Sequence, residues 1–133
     1  MINTWLTNNF EIDYPIIMAP MFLISDVKMT VAAANSGIMG CIPSLNYRTP
    51  SKFEEAMKDL KDQLNGRPFG INIIVNKSNV FLDKHIEICQ KYPPDFIITS
   101  LGGPKEVIKK LRPLGIKILC DVIDSHHAKK CED

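Results

Sequence analysis

Five short apolar runs punctuate this chain, at residues 15–20, 38–42, 69–75, 95–100 and 116–121, with longer segments of helical periodicity between them. They start near residues 16, 38, 69, 95 and 116, so successive units begin 22, 31, 26 and 21 residues apart. No other feature limits the fold as strongly. Apolar character that is nearly continuous rather than alternating suits parallel strands covered by helices. Repeated βα steps imply a parallel sheet. Five such units in 133 residues fit either a complete doubly wound sheet or the first five βα units of a (β/α)8 barrel.

The helical segments carry their own end signals. Ser25-Asp26 starts the first, which runs into the small residues Val31-Ala32-Ala33-Ala34 and stops before Asn35-Ser36-Gly37. Thr49 and Pro50 supply a cap and a first-turn proline for the second, whose buried stripe is Phe53, Ala56, Met57, Leu60 and Leu64; Asn65-Gly66 ends it. Ser78 is the expected cap of a helix with the stripe Leu82, Ile86 and Cys89, stopped by Pro93-Pro94. Gly103-Pro104, read as a turn with a first-turn proline, opens the next helix, carrying Val107, Ile108 and Leu111 and closing near Pro113 and Gly115. Asp124 or Ser125 caps a last helix through His126, His127, Ala128 and Lys129, within which the chain stops at Cys131-Glu132-Asp133. An array ending there reads as unfinished.

Charge narrows the range of partners. Sixteen Lys and Arg against fifteen Asp and Glu leave a formal charge of +1, without the concentrated basic surface that nucleic acid or an anionic membrane attracts. The most apolar stretch, residues 15–24, contains Pro15 and Pro20 and is far short of the roughly 20 apolar residues of a spanning helix. The N-terminus lacks a basic region followed by an apolar one, so a cytoplasmic location is the default expectation. Cys41, Cys89, Cys120 and Cys131 show no C-x-x-C spacing, so neither a disulfide framework nor a zinc ribbon is expected. Cys41 and Cys120, within apolar runs, are read as small buried hydrophobes.

Five segments in register carry a family resemblance. They are Tyr14-Pro15-Ile16-Ile17-Met18-Ala19-Pro20-Met21, Ala33-Ala34-Asn35-Ser36-Gly37-Ile38-Met39-Gly40, Arg67-Pro68-Phe69-Gly70-Ile71-Asn72, Ile98-Thr99-Ser100-Leu101-Gly102 and Gly115-Ile116-Lys117. In order and spacing the chain resembles the FMN-dependent nitronate monooxygenases, also called 2-nitropropane dioxygenases, which are similar to the flavin-type enoyl-[acyl-carrier-protein] reductases. The resemblance implies a TIM-barrel fold with residues 1–133 as the N-terminal portion of a single flavin-binding domain. It implies FMN as cofactor, a nitronate or nitroalkane and dioxygen as substrates, and a site at the C-terminal ends of the strands. Pro20, Met21 and Phe22 after the first strand would lie against the flavin. Asn72 on the third strand would hydrogen-bond it, an amide being able both to donate and to accept. Ser100 and Asp121 are possible pocket-lining groups at the ends of strands four and five.

Two departures stand out. Phe22-Leu23 replaces small residues common in the family after the first strand, and Gly37-Ile38-Met39-Gly40 stands where a Gly-Gly-Leu-Gly run is common. The family's general-base histidine is expected beyond Asp133, as are the loops that hold the FMN phosphate. No catalytic residue is therefore assigned within the chain, and the isolated chain is expected to be inactive. Half a barrel would also expose strand edges and inward-facing apolar residues, so self-association or pairing with a complementary C-terminal half is expected.

Other residues have plainer readings. His126 and His127 point about 100° apart on a helix, and although His127 and Cys131 are spaced i, i+4, the adopted reading is solvent-facing residues and no metal site. His85 and Cys89 are read as structural. Pro20 and Gly40 could equally be strand-end punctuation. Gly102-Gly103-Pro104 lacks G-x-G-x-x-G spacing, and Lys105, Lys109, Lys110 and Arg112 form a solvated helix face. The competing functions are an enoyl reductase-like flavoenzyme and a non-catalytic flavodoxin-like binding module; the second lacks a hydroxyl-rich first loop.

Overall fold

The computed structural model describes residues 2–132. The chain end at Asp133, beyond which the family histidine is expected, lies outside them. All five expected strands form: β1 (Ile17–Met18), β2 (Met39–Pro43), β3 (Phe69–Ile74), β4 (Phe96–Ser100) and β5 (Lys117–Cys120). They make one parallel sheet in the order β1-β2-β3-β4-β5. That order decides between the two architectures. A flavodoxin-like sheet would place its strands 2-1-3-4-5 with helices on both faces, whereas parallel strands that pair in sequence order are the wall of a (β/α) barrel. The flavodoxin-like alternative is thereby overturned.

Each helix forms where its ends dictate. Asp26 caps α2 (Val27–Asn35), accepting from the Met29 amide at 2.8 Å. Thr49 caps α3 (Pro50–Leu64), with Pro50 in the first turn and Asn65 left-handed at the end; its buried residues are the expected stripe of five. Helix α4 (Leu82–Lys91) differs from expectation, because Phe81 sits at its cap position and no side chain bonds there. Asn79, not Ser78, organises that entry: its amide donates to Ile74 O at 2.8 Å and its carbonyl accepts from Phe81 N at 3.1 Å. Before α5 (Lys105–Leu111), Pro104 occupies the cap rather than the first turn. Asp124 accepts from the His127 amide at 2.7 Å as α6 (Ser125–Glu132) begins.

One helix has no counterpart in the sequence reading. Trp5–Phe10 forms α1, with Thr4 and Thr7 exchanging side-chain to backbone bonds in a capping box. It delivers Phe10 and Ile12 to the inner face of the sheet, where they cluster with Met39, Cys41 and Phe96. The Phe10 and Phe96 rings meet edge-on at 5.6 Å. On the other face Ile42, Ile71, Ile73 and Ile97 pack beneath Phe53, Met57, Ile86 and Val107 of the helices. Thus β2, β3 and β4 are buried on both faces, which is why their sequences read as continuous apolar runs.

Two glycines explain how closely these layers approach. A Cβ on Gly40 would lie 2.8 Å from Thr30 Cα in α2. Gly40 is therefore a packing residue inside β2, not strand-end punctuation. A Cβ on Gly70 would fall 2.2 Å from the Phe96 ring, which takes the room that glycine leaves on the inner face.

Candidate functional site

Alternation along the strands sorts the inward residues into layers. Met39 lies deepest, over the α1 plug; Cys41, Gly70 and Phe96 stand in register above it; Pro43, Asn72, Ile98 and Leu119 form the next level; and Ser100 and Asp121 stand at the C-terminal ends. The apolar floor thus changes to polar groups at the rim, on three adjacent strands. Asn72, Ser100 and Asp121, each read from the sequence as a separate group, form one hydrogen-bonded chain.

The geometry of that chain is specific. Asn72 Nδ2 donates to Ile98 O at 3.0 Å and to Ser100 Oγ at 2.7 Å. Ser100 Oγ donates in turn to Asp121 Oδ2 at 2.6 Å. Asn72 and Ser100 are buried, while Asp121 is exposed and continues the ladder through its amide to Thr99 O at 2.9 Å. Both N–H groups of Asn72 are engaged, so the side chain has only its carbonyl oxygen to offer a ligand, not the mixed donor and acceptor pair the sequence suggested. Cys41, one layer below, is an inert neighbour. Burial, and secondarily the Asp121 carboxylate, push its thiol well above the ordinary range.

The loop after β1 is held by Ser25, read from the sequence only as a helix start, and by Asn46, which the sequence reading passed over. Ser25 Oγ accepts from Met21 N at 2.9 Å and lies 3.1 Å from Met21 O. Asn46, in the single 3-10 turn after β2, accepts from Leu23 N at 2.8 Å and donates to Ser25 O at 2.7 Å. Pro20 and Met21 are half-buried and Phe22 is exposed. Leu23 takes φ +60°, as Leu101 after β4 takes +63°, a left-handed conformation that costs a branched side chain energy. Polar side chains directly after strand ends, in loops that carry function on such a scaffold, were the available signal for Ser25 and Asn46.

The histidines stay away from this layer. His85 is fully buried between α3 and α4 with its ring against Phe53 (5.1 Å) and Phe81 (6.0 Å). His127 and Cys131 border a groove of about 430 Å³ between α5 and α6, together with Lys105, Lys109 and Lys130. Cys120 faces away from the interior, half-buried rather than buried, 3.4 Å from Thr99 Oγ1. Among the described residues no three His, Cys, Asp or Glu side chains gather to hold a metal ion, and no helix is long and apolar enough to cross a membrane.

A parallel, sequentially ordered wall of βα units with a polar layer at the strand C-termini defines an enzyme-type (β/α) barrel, present here as its first five units. The chain belongs to the nitronate monooxygenase family, whose model matches residues 3–85. It is 31% identical over 85 residues to a probable nitronate monooxygenase of Staphylococcus haemolyticus, a match covering 64% of this chain and 23% of that protein. Over 129 residues it is 25% identical to a (3aS,4S,5R,7aS)-5-hydroxy-7a-methyl-1-oxo-octahydro-1H-indene-4-carboxyl-CoA dehydrogenase of Rhodococcus jostii, covering 97% of this chain and 35% of that one. FabK of Thermotoga maritima superposes with a TM-score of 0.89 at 25% identity, covering 99% of this chain and 41% of that chain. The chain therefore spans about a quarter to a third of the curated relatives it matches.

Proposed function

We propose that this chain is the N-terminal portion of a single flavin-binding barrel domain whose whole protein oxidises a nitronate or nitroalkane with dioxygen, using FMN. The observation that carries this reading is the Asn72–Ser100–Asp121 chain at the strand ends of a nitronate monooxygenase family member. The residues fit the ring end of a flavin. Asn72 keeps an open carbonyl oxygen above Cys41 and level with the apolar Ile98 and Leu119, where a flat heteroaromatic ring can rest and be hydrogen-bonded at its edge. Pro20, Met21 and Phe22 supply the second wall.

When bound, FMN accepts electrons from the nitronate and passes them to dioxygen. The chain's own residues have simpler tasks. Asn72 orients the ring, the β1 loop limits how far it can shift, and the apolar floor keeps water from beneath it. None of the three imidazoles, His85, His126 or His127, reaches the polar layer, since they sit in the outer core and on α6. A histidine base for a neutral nitroalkane is therefore expected from another part of the protein.

The test mixes the purified chain with FMN and follows flavin fluorescence and nitronate-dependent oxygen uptake. Weak ring binding that Asn72→Ala abolishes, without turnover, is expected. Robust turnover by the chain alone would overturn the reading that essential catalytic machinery lies in another part of the protein. A second reading, enoyl reductase-like chemistry, is favoured by the likeness to FabK over nearly the entire chain. Oxidation of reduced nicotinamide driven by an enoyl thioester, without nitronate turnover by the whole protein, would select it.

A further inference from the structure

The outer face of β5 carries reactive groups that the polar layer does not use. Alternation turns Leu119 toward the inner cluster and Ile118 toward the outer core, so Cys120 leaves the end of the strand on the outer side. Helix α6 returns over that side with His127 and Cys131, spaced i, i+4, as its half-buried residues, while its other residues are exposed. The thiols of Cys120 and Cys131 meet there and hydrogen-bond to each other. Thr99 Oγ1 lies 3.4 Å from Cys120 Sγ and 3.3 Å from Leu119 O, so its one proton can turn to either. The other two cysteines are differently placed. Cys41 is buried on the inner face and Cys89 in the outer core, and burial above all pushes both thiols well above the ordinary range.

We propose that Cys120 and Cys131 form a redox pair that a hydroperoxide converts into a disulfide, stapling α6 to the end of β5. Partial desolvation, and after it the neighbouring Cys120, raise the Cys131 thiol above its ordinary range. Cys131 therefore keeps its proton, and Cys120, with the Thr99 hydroxyl beside it as a donor to a thiolate, makes the first attack. The Cys120 sulfur bonds one peroxide oxygen as the O–O bond breaks, and the departing oxygen leaves with the proton that the thiol released. The Cys131 sulfur then displaces hydroxide from the sulfenic acid: the S–S bond forms, the S–O bond breaks, and the hydroxide takes the Cys131 proton as water. Two electrons pass from the pair of sulfurs to the peroxide, and a dithiol reverses the change.

The crosslink acts on a lightly held element, since no residue of α6 is buried. It closes residues 120–131 into a covalent loop that contains Asp121 of the polar chain and the exposed Val122 and Ile123 of the rim. Oxidation would therefore restrict the part of the rim that follows β5. The bearing of this on catalysis rests on the flavin reading above; the crosslink itself does not.

The test exposes the reduced 133-residue chain, without flavin, to hydrogen peroxide and maps its peptides under non-reducing conditions. The expected product links Cys120 to Cys131 within one chain, while Cys41 and Cys89 remain free for alkylation after unfolding. Amide hydrogen exchange across α6 should slow about tenfold in the oxidised chain and recover with dithiothreitol. Cys131→Ser should stop at a sulfenic acid on Cys120 that dimedone captures. Both positions are half-buried, and circular dichroism confirms that each serine variant is folded; the map of the native chain needs no variant. Thiols that both survive peroxide, or that link to Cys41, Cys89 or a second chain instead, would overturn the pair. Unchanged exchange in α6 after the link has formed would overturn the staple, and dimedone on Cys131 in Cys120→Ser would overturn the first attack by Cys120.

Discussion

His85 carries two ring nitrogens into the outer core, and neither finds a hydrogen-bond partner. Its ring is fully enclosed and packed against Phe53 and Phe81. Burial lowers its pKa from 6.5 to about 4, because a charged imidazolium there would lose its water without gaining a counterion. The sign follows from linkage. Above pH 6.5 the imidazole is neutral folded or unfolded; between pH 6.5 and 4 the unfolded chain takes up a proton that the folded chain refuses. Stability should therefore fall across that window by on the order of 2–3 kcal/mol. Urea unfolding at pH 7 and pH 4.5 measures it, and His85→Leu should remove most of the difference. An unchanged midpoint shift in that variant would assign the acid sensitivity to other groups.

At this same scale the sequence told residue type better than residue reason. The His85–Cys89 pair was legible as structural because Cys89 belongs to the apolar stripe of Leu82 and Ile86. Asn72, Ser100 and Asp121 were legible as inward groups at strand ends, yet their connection was not, because it depends on the register that sets Asn72 opposite Ile98 and Ile74 opposite Ser100. Gly70 shows the limit most plainly. Its neighbour Phe96 is 26 residues away, and only the folded sheet brings that ring over the glycine.

At the scale of elements, legibility follows length. Helix α3, fifteen residues with a proline start and a five-residue stripe, could be drawn from sequence to its ends. Helix α1, six residues closed by a threonine pair rather than by the commoner Ser/Thr-x-x-Glu signature, gave too few periods to register. The entry to α4 was misread for a related reason. Ser78 and Asn79 are both good capping types, and the difference between them is that Asn79 can reach Ile74 O at the end of β3. The β1 loop is also a multi-element device, since Asn46 belongs to the turn after β2. Asn46→Ala removes two hydrogen bonds that hold Leu23 at positive φ, worth about 1–2 kcal/mol locally. The expected result is faster amide hydrogen exchange across residues 21–25, with β3 and β4 unchanged. Equal exchange in both proteins would show that Ser25 holds the loop unaided.

Across the whole molecule, closure is the outstanding physical question. Sheet order leaves β1 and β5 with one hydrogen-bonded neighbour each, so each presents an open ladder edge. The inner face repeats the problem in its side chains, because Ile17, Ile98 and Leu119 are only partly covered although they pack with the Phe10 and Phe96 cluster. At the C-terminal rim Leu23, Leu101 and Ile123 are 72%, 71% and 90% exposed. Lys117 charges one edge of β5, a common guard against edge pairing, but β1 is bracketed only by prolines and carries no charge. Such a surface lowers its free energy by associating with another like it, at roughly 25 cal/mol for each Å² of apolar area covered. The 133-residue chain studied alone should therefore elute from size exclusion as a dimer or larger species, its mass by light scattering rising with concentration. Leu119→Glu places a charge on the inner face next to the open edge and should shift that distribution toward monomer while leaving the outer core, and hence the helical circular dichroism, intact. A native chain that stays monomeric at high concentration and binds little hydrophobic dye would mean that β1 and β5 are protected by their own loops, and the open-edge account would fail.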